Sequence, residues 1–213
     1  MTSHSLAKAK RRRFTPIALT TGVVAAALLS VSMTGTLSGF VASINNSTNT
    51  TATGALIMQE QNAAGTVTCL STDGGTISTN TATCATINKL GGSTTMVPGQ
   101  TITTNITIKN TGTVNAGSFT LTPSACTQSA AASPSGTATD LCTQLQLVVT
   151  QGATTVYSGT AAGFVTGGAR TIAGPPAAGV SLPFTFAVTL PSAAGNTYQN
   201  LQASLPLLWT FNS

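Results

Sequence analysis

The chain has 213 residues, of which 41% are hydrophobic and only 5% charged, with a formal net charge of +5. That charge sits almost entirely at one end, because Lys8, Lys10, Arg11, Arg12 and Arg13 account for five of the eight basic residues. From residue 39 onward Lys89, Lys109 and Arg170 balance Glu60, Asp73 and Asp140, which leaves no basic footprint for nucleic acid, and so apolar a composition excludes simple disorder.

In chain order the first element is a leader. The basic residues precede an apolar stretch from Ile17 to Leu29 and then small and polar residues, the pattern of a secretory signal. The apolar run is short for a membrane span of about 20 residues, and Thr20, Thr21 and Ser30 dilute it. Cleavage is therefore expected rather than a retained anchor, with membrane contact only through the uncleaved leader and with a signal peptidase as partner during export. Arg11-Arg12-Arg13-Phe14 has some likeness to a twin-arginine signal, but cysteines that pair after export favour the general secretory route.

The remaining chain reads as all-β, an antiparallel β-sandwich or jelly roll. Short alternating segments at Leu56/Met58, Ile102/Ile106/Ile108 and Phe119/Leu121 are followed by Leu141, Thr143, Leu145, Leu147 and Val149 on one face. The clearest period-two runs are Val180, Leu182, Phe184, Phe186, Val188 and Leu190, and then Leu201, Ala203, Leu205, Leu207, Trp209 and Phe211, as half-buried strands require. Turns are expected at Gly91-Gly92, Pro98-Gly99, Asn110-Thr111-Gly112, Gly167-Gly168 and Gly174-Pro175-Pro176. No segment after the leader shows a helical period. Pro183 and Pro206 fall on the outward phase of their strands, which predicts edges or bulges there. Ser129–Thr139 reads as a surface loop.

Cys69, Cys84, Cys126 and Cys142 allow three pairings; sequential pairing closes short loops and is favoured. A metal site is disfavoured, since there is no Cys-x-x-Cys and the one histidine, His4, lies in the leader. A Ser-His-Asp nucleophile cannot be assembled without histidine after the leader. Glu60, Asp73 and Asp140 are far apart in sequence and read as surface or turn groups, Asp73 before Gly74-Gly75 above all. The chain is thus expected not to be an enzyme and to need no cofactor. Tyr157, Tyr198 and Trp209 could stack on sugars, although Trp209 and Phe211 share the apolar phase of their strand.

Three stretches resemble the TasA/camelysin family of exported proteins, whose leaders are cut by a SipW-type signal peptidase. They are Gly35-Thr36-Leu37-Ser38-Gly39-Phe40 with Thr53-Gly54-Ala55-Leu56; Met96-Val97-Pro98-Gly99-Gln100 leading to Ile106-Thr107-Ile108-Lys109-Asn110-Thr111-Gly112; and Asn196-Thr197-Tyr198-Gln199-Asn200-Leu201 before Trp209. The resemblance implies cleavage between Ser38 and Gly39, hence a signal peptide over 1–38, a mature N-terminal segment over 39–53 and a β domain over 54–213. It also implies a jelly roll and assembly into biofilm-matrix fibres by donor-strand exchange, with Phe40, Val41 and Ile44 as anchors of the donor. The chain departs from the family at Val41-Ala42, at Gln100 and in having cysteines. The metalloprotease activity ascribed to some camelysins does not carry over, because no histidine ligand follows the leader.

Two functions are left open at this stage. One is a homo-oligomeric or fibre-forming structural protein of the cell surface or biofilm matrix, and the low charge and Ala/Thr/Gly-rich composition fit a Gram-positive secretory context. The other is a monomeric secreted module that binds glycan or another envelope polymer, in which case residues 39–53 would be a folded-back or free terminus.

Overall fold

The computed structural model describes Ile44 and residues 50–213. The chain divides into two compact units, Met1–Thr51 and Ala52–Ser213. The expected leader, the cleavage residues Ser38 and Gly39, and the anchors Phe40 and Val41 lie outside the described residues. Ile44 is described and is 94% exposed.

The second unit is all-β with antiparallel sheets. Its strands are β1 (Met58–Asn62), β2 (Thr68–Leu70), β3 (Thr101–Asn110), β4 (Ser118–Pro123), β5 (Thr127–Ala130), β6 (Gln146–Gln151), β7 (Thr154–Thr160), β8 (Arg170–Thr171), β9 (Ser181–Thr189), β10 (Leu201–Ser204) and β11 (Leu207–Asn212). Six form a sheet in the order β2-β1-β3-β9-β6-β7; β11, β4 and β8 form a second with β4 in the middle; β10 pairs with β5. The last two assemblies share one interrupted ladder, because the Ser124 amide donates to the Pro206 carbonyl between the β4–β11 and β5–β10 pairings.

Alternation puts the core where the period predicts it. On β9, Phe184, Phe186 and Val188 are buried, as are Ile106 and Ile108 on β3 beside them. Val180 is the exception at 43% exposure, since it precedes the strand. Phe119 and Leu121 of β4 are fully buried and bring the second sheet onto this core. Phe119 meets Phe184 with ring centroids 5.8 Å apart and Phe211 at 4.7 Å, while Trp209 lies 4.8 Å from Phe184. Such aromatic pairs add about 1 kcal/mol each beyond the area they bury.

Two short helices correct the expectation of none, and the first also corrects the strand predicted from Leu141. Helix α1 (Leu141–Gln144) precedes β6. Leu141 and Leu145 are both buried and four apart, a spacing that serves the helical period as well as the strand period. Thr143 faces outward, as a helix requires and a strand would not allow. Helix α2 (Ala161–Thr166) begins at Thr160, whose Oγ1 accepts from the Gly163 amide, and buries Phe164. With so few turns it has no period to detect.

Pro183 is not on an edge: β9 lies in the middle of the large sheet. Its carbonyl accepts from the Gly152 amide, so its nitrogen points the same way, one residue beyond the last β6–β9 pair at Phe184. The missing N–H thus falls opposite the β6–β7 turn and breaks no ladder bond. Pro206 separates β10 from β11 and so ends a run that alternation alone reads as one strand.

The cysteines pair in sequence order, Cys69 with Cys84 and Cys126 with Cys142. The second bridge ties the residue before β5 to α1 across a separation of 16 residues. Removing it with Cys126→Ser/Cys142→Ser is expected to cost about 3 kcal/mol on the chain-entropy estimate, read as a lower midpoint in guanidinium with a slope somewhat steeper, because the unfolded chain expands.

Candidate functional site

The site begins with an edge. Strand β11 pairs with β4 on one side only. The Gly117 amide donates to the carbonyl of Asn212 and the Ser124 amide to that of Pro206, which places the even-numbered residues of β11 toward β4. By the alternation of an antiparallel ladder, the N–H and C=O groups of Leu207, Trp209 and Phe211 point away from it. Among the described residues no backbone group meets them.

The usual protections of an exposed edge are missing here. Natural edges are short, charged, interrupted by proline or bulged. Strands β2 and β8 have three and two residues, and the long edge strand β7 is polar, Thr-Thr-Val-Tyr-Ser-Gly-Thr, beside a register shift at Val149/Thr150. Strand β11 reads Leu-Leu-Trp-Thr-Phe-Asn, with no charge and no proline. Leu207, Trp209 and Phe211 carry the inward phase yet are only half-buried, whereas their neighbours Phe119 and Leu121 on β4 are fully buried. One flank of the core is incompletely covered.

Beside this edge lies a groove of about 660 Å³. Its walls are Leu205, Leu207, Trp209 and Phe211; Met58 and Glu60 of β1 with Cys69 of β2; and the segment 80–90. That segment belongs to the stretch 71–100, which contains no strand; it buries Ile87 in the core and packs the half-buried Cys84 and Leu90 against it. Side chains hold it in place. Cys84 is bonded to Cys69, Asn80 Nδ2 donates to the Leu56 carbonyl at 2.7 Å, Ser71 Oγ donates to Asn80 Oδ1 at 2.6 Å, and Lys89 Nζ lies 2.6 Å from Glu60 Oε1.

The Glu60–Lys89 contact is the one ion pair among the described residues. Burial pushes the Glu60 carboxyl above its ordinary 4.5, more than the adjacent Lys89 charge pulls it down. The folded state therefore holds a proton on Glu60 more readily than the unfolded chain does. This contribution to stability is complete below 4.5 and is lost as pH rises through the folded value. Asp140 behaves oppositely: hydrogen bonds from Tyr198 and then Gln144 hold it below its ordinary 3.8, so its contribution is present above 3.8 and is lost as pH falls through the lowered value. Relative to Glu60→Gln, wild type is expected to lose stability as pH rises above the ordinary 4.5 and through the raised value. Relative to Asp140→Asn, it is expected to gain stability as pH rises through the acid range. Urea melts across that range check both signs.

The residues considered for chemistry take structural roles. Asp73 Oδ2 accepts from the Leu70 amide and closes a turn. Tyr157 donates to the Thr160 carbonyl and stacks on Phe164 under the Arg170 guanidinium, whose carbon lies 5.2 Å from its ring centroid. Tyr198 donates to Asp140, and Trp209 packs among Phe119, Phe184 and Phe186. The three aromatics considered for sugar stacking thus have separate partners. Among the described residues no three His, Cys, Asp or Glu side chains gather where a metal could bind, and no helix is long and apolar enough to cross a membrane. The two disulfides fit an oxidising compartment.

Sequence reasoning did not find Asn110 as anything but a turn residue, nor the groove. Asn110 is fully buried, and its amide donates to the carbonyls of Val114 and Pro176 and accepts from the Gly112 amide. No protein family matches this chain, and no curated protein does.

Proposed function

We propose that the chain is an exported structural protein of the cell surface or extracellular matrix that self-assembles by strand addition at the free edge of β11. The observation that carries this reading is the edge itself: an apolar strand on which three residues have no backbone partner among the described residues, beside a groove of about 660 Å³. An added strand would satisfy those groups and cover the half-buried Leu207, Trp209 and Phe211. The donor is residues 39–53 of a second copy, freed by cleavage after Ser38 and offering Phe40, Val41 and Ile44 as apolar anchors. The two larger sheets then face each other as a jelly-roll sandwich that is one strand short on the smaller side. Neutrality after residue 39 supports close association, because nothing repels copies from one another.

Electron microscopy of residues 39–213 beside residues 54–213 tests this. Fibres are expected from the first and single particles from the second. Single particles from both would overturn self-assembly and leave a monomeric binding module.

A further inference from the structure

The groove has one wall made of a strand and another made of a segment with no backbone pairing to either sheet. This second wall, residues 80–90, stands where an incoming strand would find its far boundary. A strand loses conformational freedom on docking, and a wall already fixed in place lowers that cost. The wall is fixed by one covalent bond, Cys69–Cys84, and by the polar contacts of Asn80 and Lys89. Both cysteines line the groove and are only half-buried. Thr86 Oγ1 lies 3.6 Å from the Cys69 sulfur and 3.8 Å from that of Cys84, so an exposed wall residue covers a bridge whose other side packs on the margin of the core. Cys126–Cys142 lies elsewhere, between β5 and α1, and lines no part of the groove.

We propose that the Cys69–Cys84 disulfide licenses strand capture: the oxidised chain accepts a donor strand and the chain reduced at this bridge does not. The inference rests on the strand-addition reading and adds its regulation. Oxidation joins the two sulfurs and passes their two protons and two electrons to the disulfide of an exchange catalyst, whose S–S bond breaks to give a dithiol. A small dithiol reverses this, returning two hydrogens to Cys69 and Cys84 and leaving as its own disulfide. A subunit made in a reducing compartment would thus be unable to assemble before export, whatever its concentration there.

Ala52–Ser213 is a compact unit with its own core, so capture can be measured on residues 54–213 with a fluorescent peptide of residues 39–53 by anisotropy. The oxidised protein is expected to bind the peptide. Native-state dithiol treatment and Cys69→Ser/Cys84→Ser are each expected to weaken binding about tenfold or more, as loss of a preorganised wall implies. Cys126→Ser/Cys142→Ser is expected to leave it unchanged. Equal binding by the oxidised protein and the Cys69→Ser/Cys84→Ser variant overturns the licence while leaving strand addition intact; no binding by the oxidised protein overturns both. Should Trp209 emission show that the variant has unfolded, the Cys126→Ser/Cys142→Ser protein, whose remaining bridge is Cys69–Cys84, is reduced by dithiol under conditions where its emission stays native. Capture lost on reduction and regained on reoxidation supports the proposal, and capture unaltered by reduction overturns it.

Discussion

Residues 39–213 are expected to form fibres that disappear when residues 39–53 are removed, with no loss of folded structure in the truncated chain. The effect is all-or-none because the donor is the whole of the added strand. Strand β11 offers the backbone groups of Leu207, Trp209 and Phe211, and the proposed donor is the segment that the truncation removes. The core of Ala52–Ser213 needs none of the removed residues: Phe119, Phe164, Phe184 and Phe186 are already buried within it. Unfolding midpoints of the two forms should therefore agree, while their sedimentation profiles differ. Added peptide of residues 39–53 should cap growing ends of the longer form and shorten its fibres. Fibres that persist after truncation would place the contact on another edge, of which β7 is the longest.

The largest expected loss of stability from a single side chain belongs to Asn110. Its carboxamide bridges the end of β3 to the carbonyls of Val114 and Pro176 and receives the Gly112 amide. Asn110→Ala leaves the Val114 carbonyl and the Gly112 amide without a partner where water has little access, while the Pro176 carbonyl keeps the Ala116 amide. Each such group costs about 1–3 kcal/mol, so a total near 4 kcal/mol is expected, or a fall in Tm of roughly 10 °C for a unit of this size. Asn110→Asp keeps the acceptor for Gly112 but turns the two donor contacts into repulsions between oxygens, and should be at least as damaging near neutral pH. Gly112 belongs to the same device. A Cβ there would come within 2.1 Å of the Ala55 carbonyl oxygen and 2.7 Å of the Ile57 amide nitrogen, so Gly112→Ala should be destabilising through backbone collision alone. Thermal melts of the three variants check the order.

These residues show where sequence reading succeeds and where it stops. Phe184, Phe186 and Val188 announce themselves by alternation, because a strand with one face on the core must repeat every second residue. The break between β10 and β11 did not show, since Leu205 keeps the phase while Pro206 interrupts the pairing. Leu141 and Leu145 satisfy two periods at once, and the helix prevails because Thr143 between them gains solvent. The Asn110-Thr111-Gly112 turn was legible from residue types, but its burial was not: the carbonyl of Pro176 is 66 positions away. The groove was illegible for the same reason, being assembled from residues near 58, 85 and 207. A free edge can be recognised only once every other strand has found its neighbour.

The one ion pair among the described residues bears on the setting in which the protein works. Glu60 and Lys89 face each other with little exposure to solvent, and the disulfides, aromatic contacts and amide hydrogen bonds that complete the unit involve almost no free charge. Dissolved ions weaken attraction between exposed charges over a Debye length of about 8 Å at ordinary salinity, and here there is little for them to weaken. Cohesion within a copy, and adhesion between copies through uncharged backbone, should be much the same in dilute freshwater and in concentrated brine.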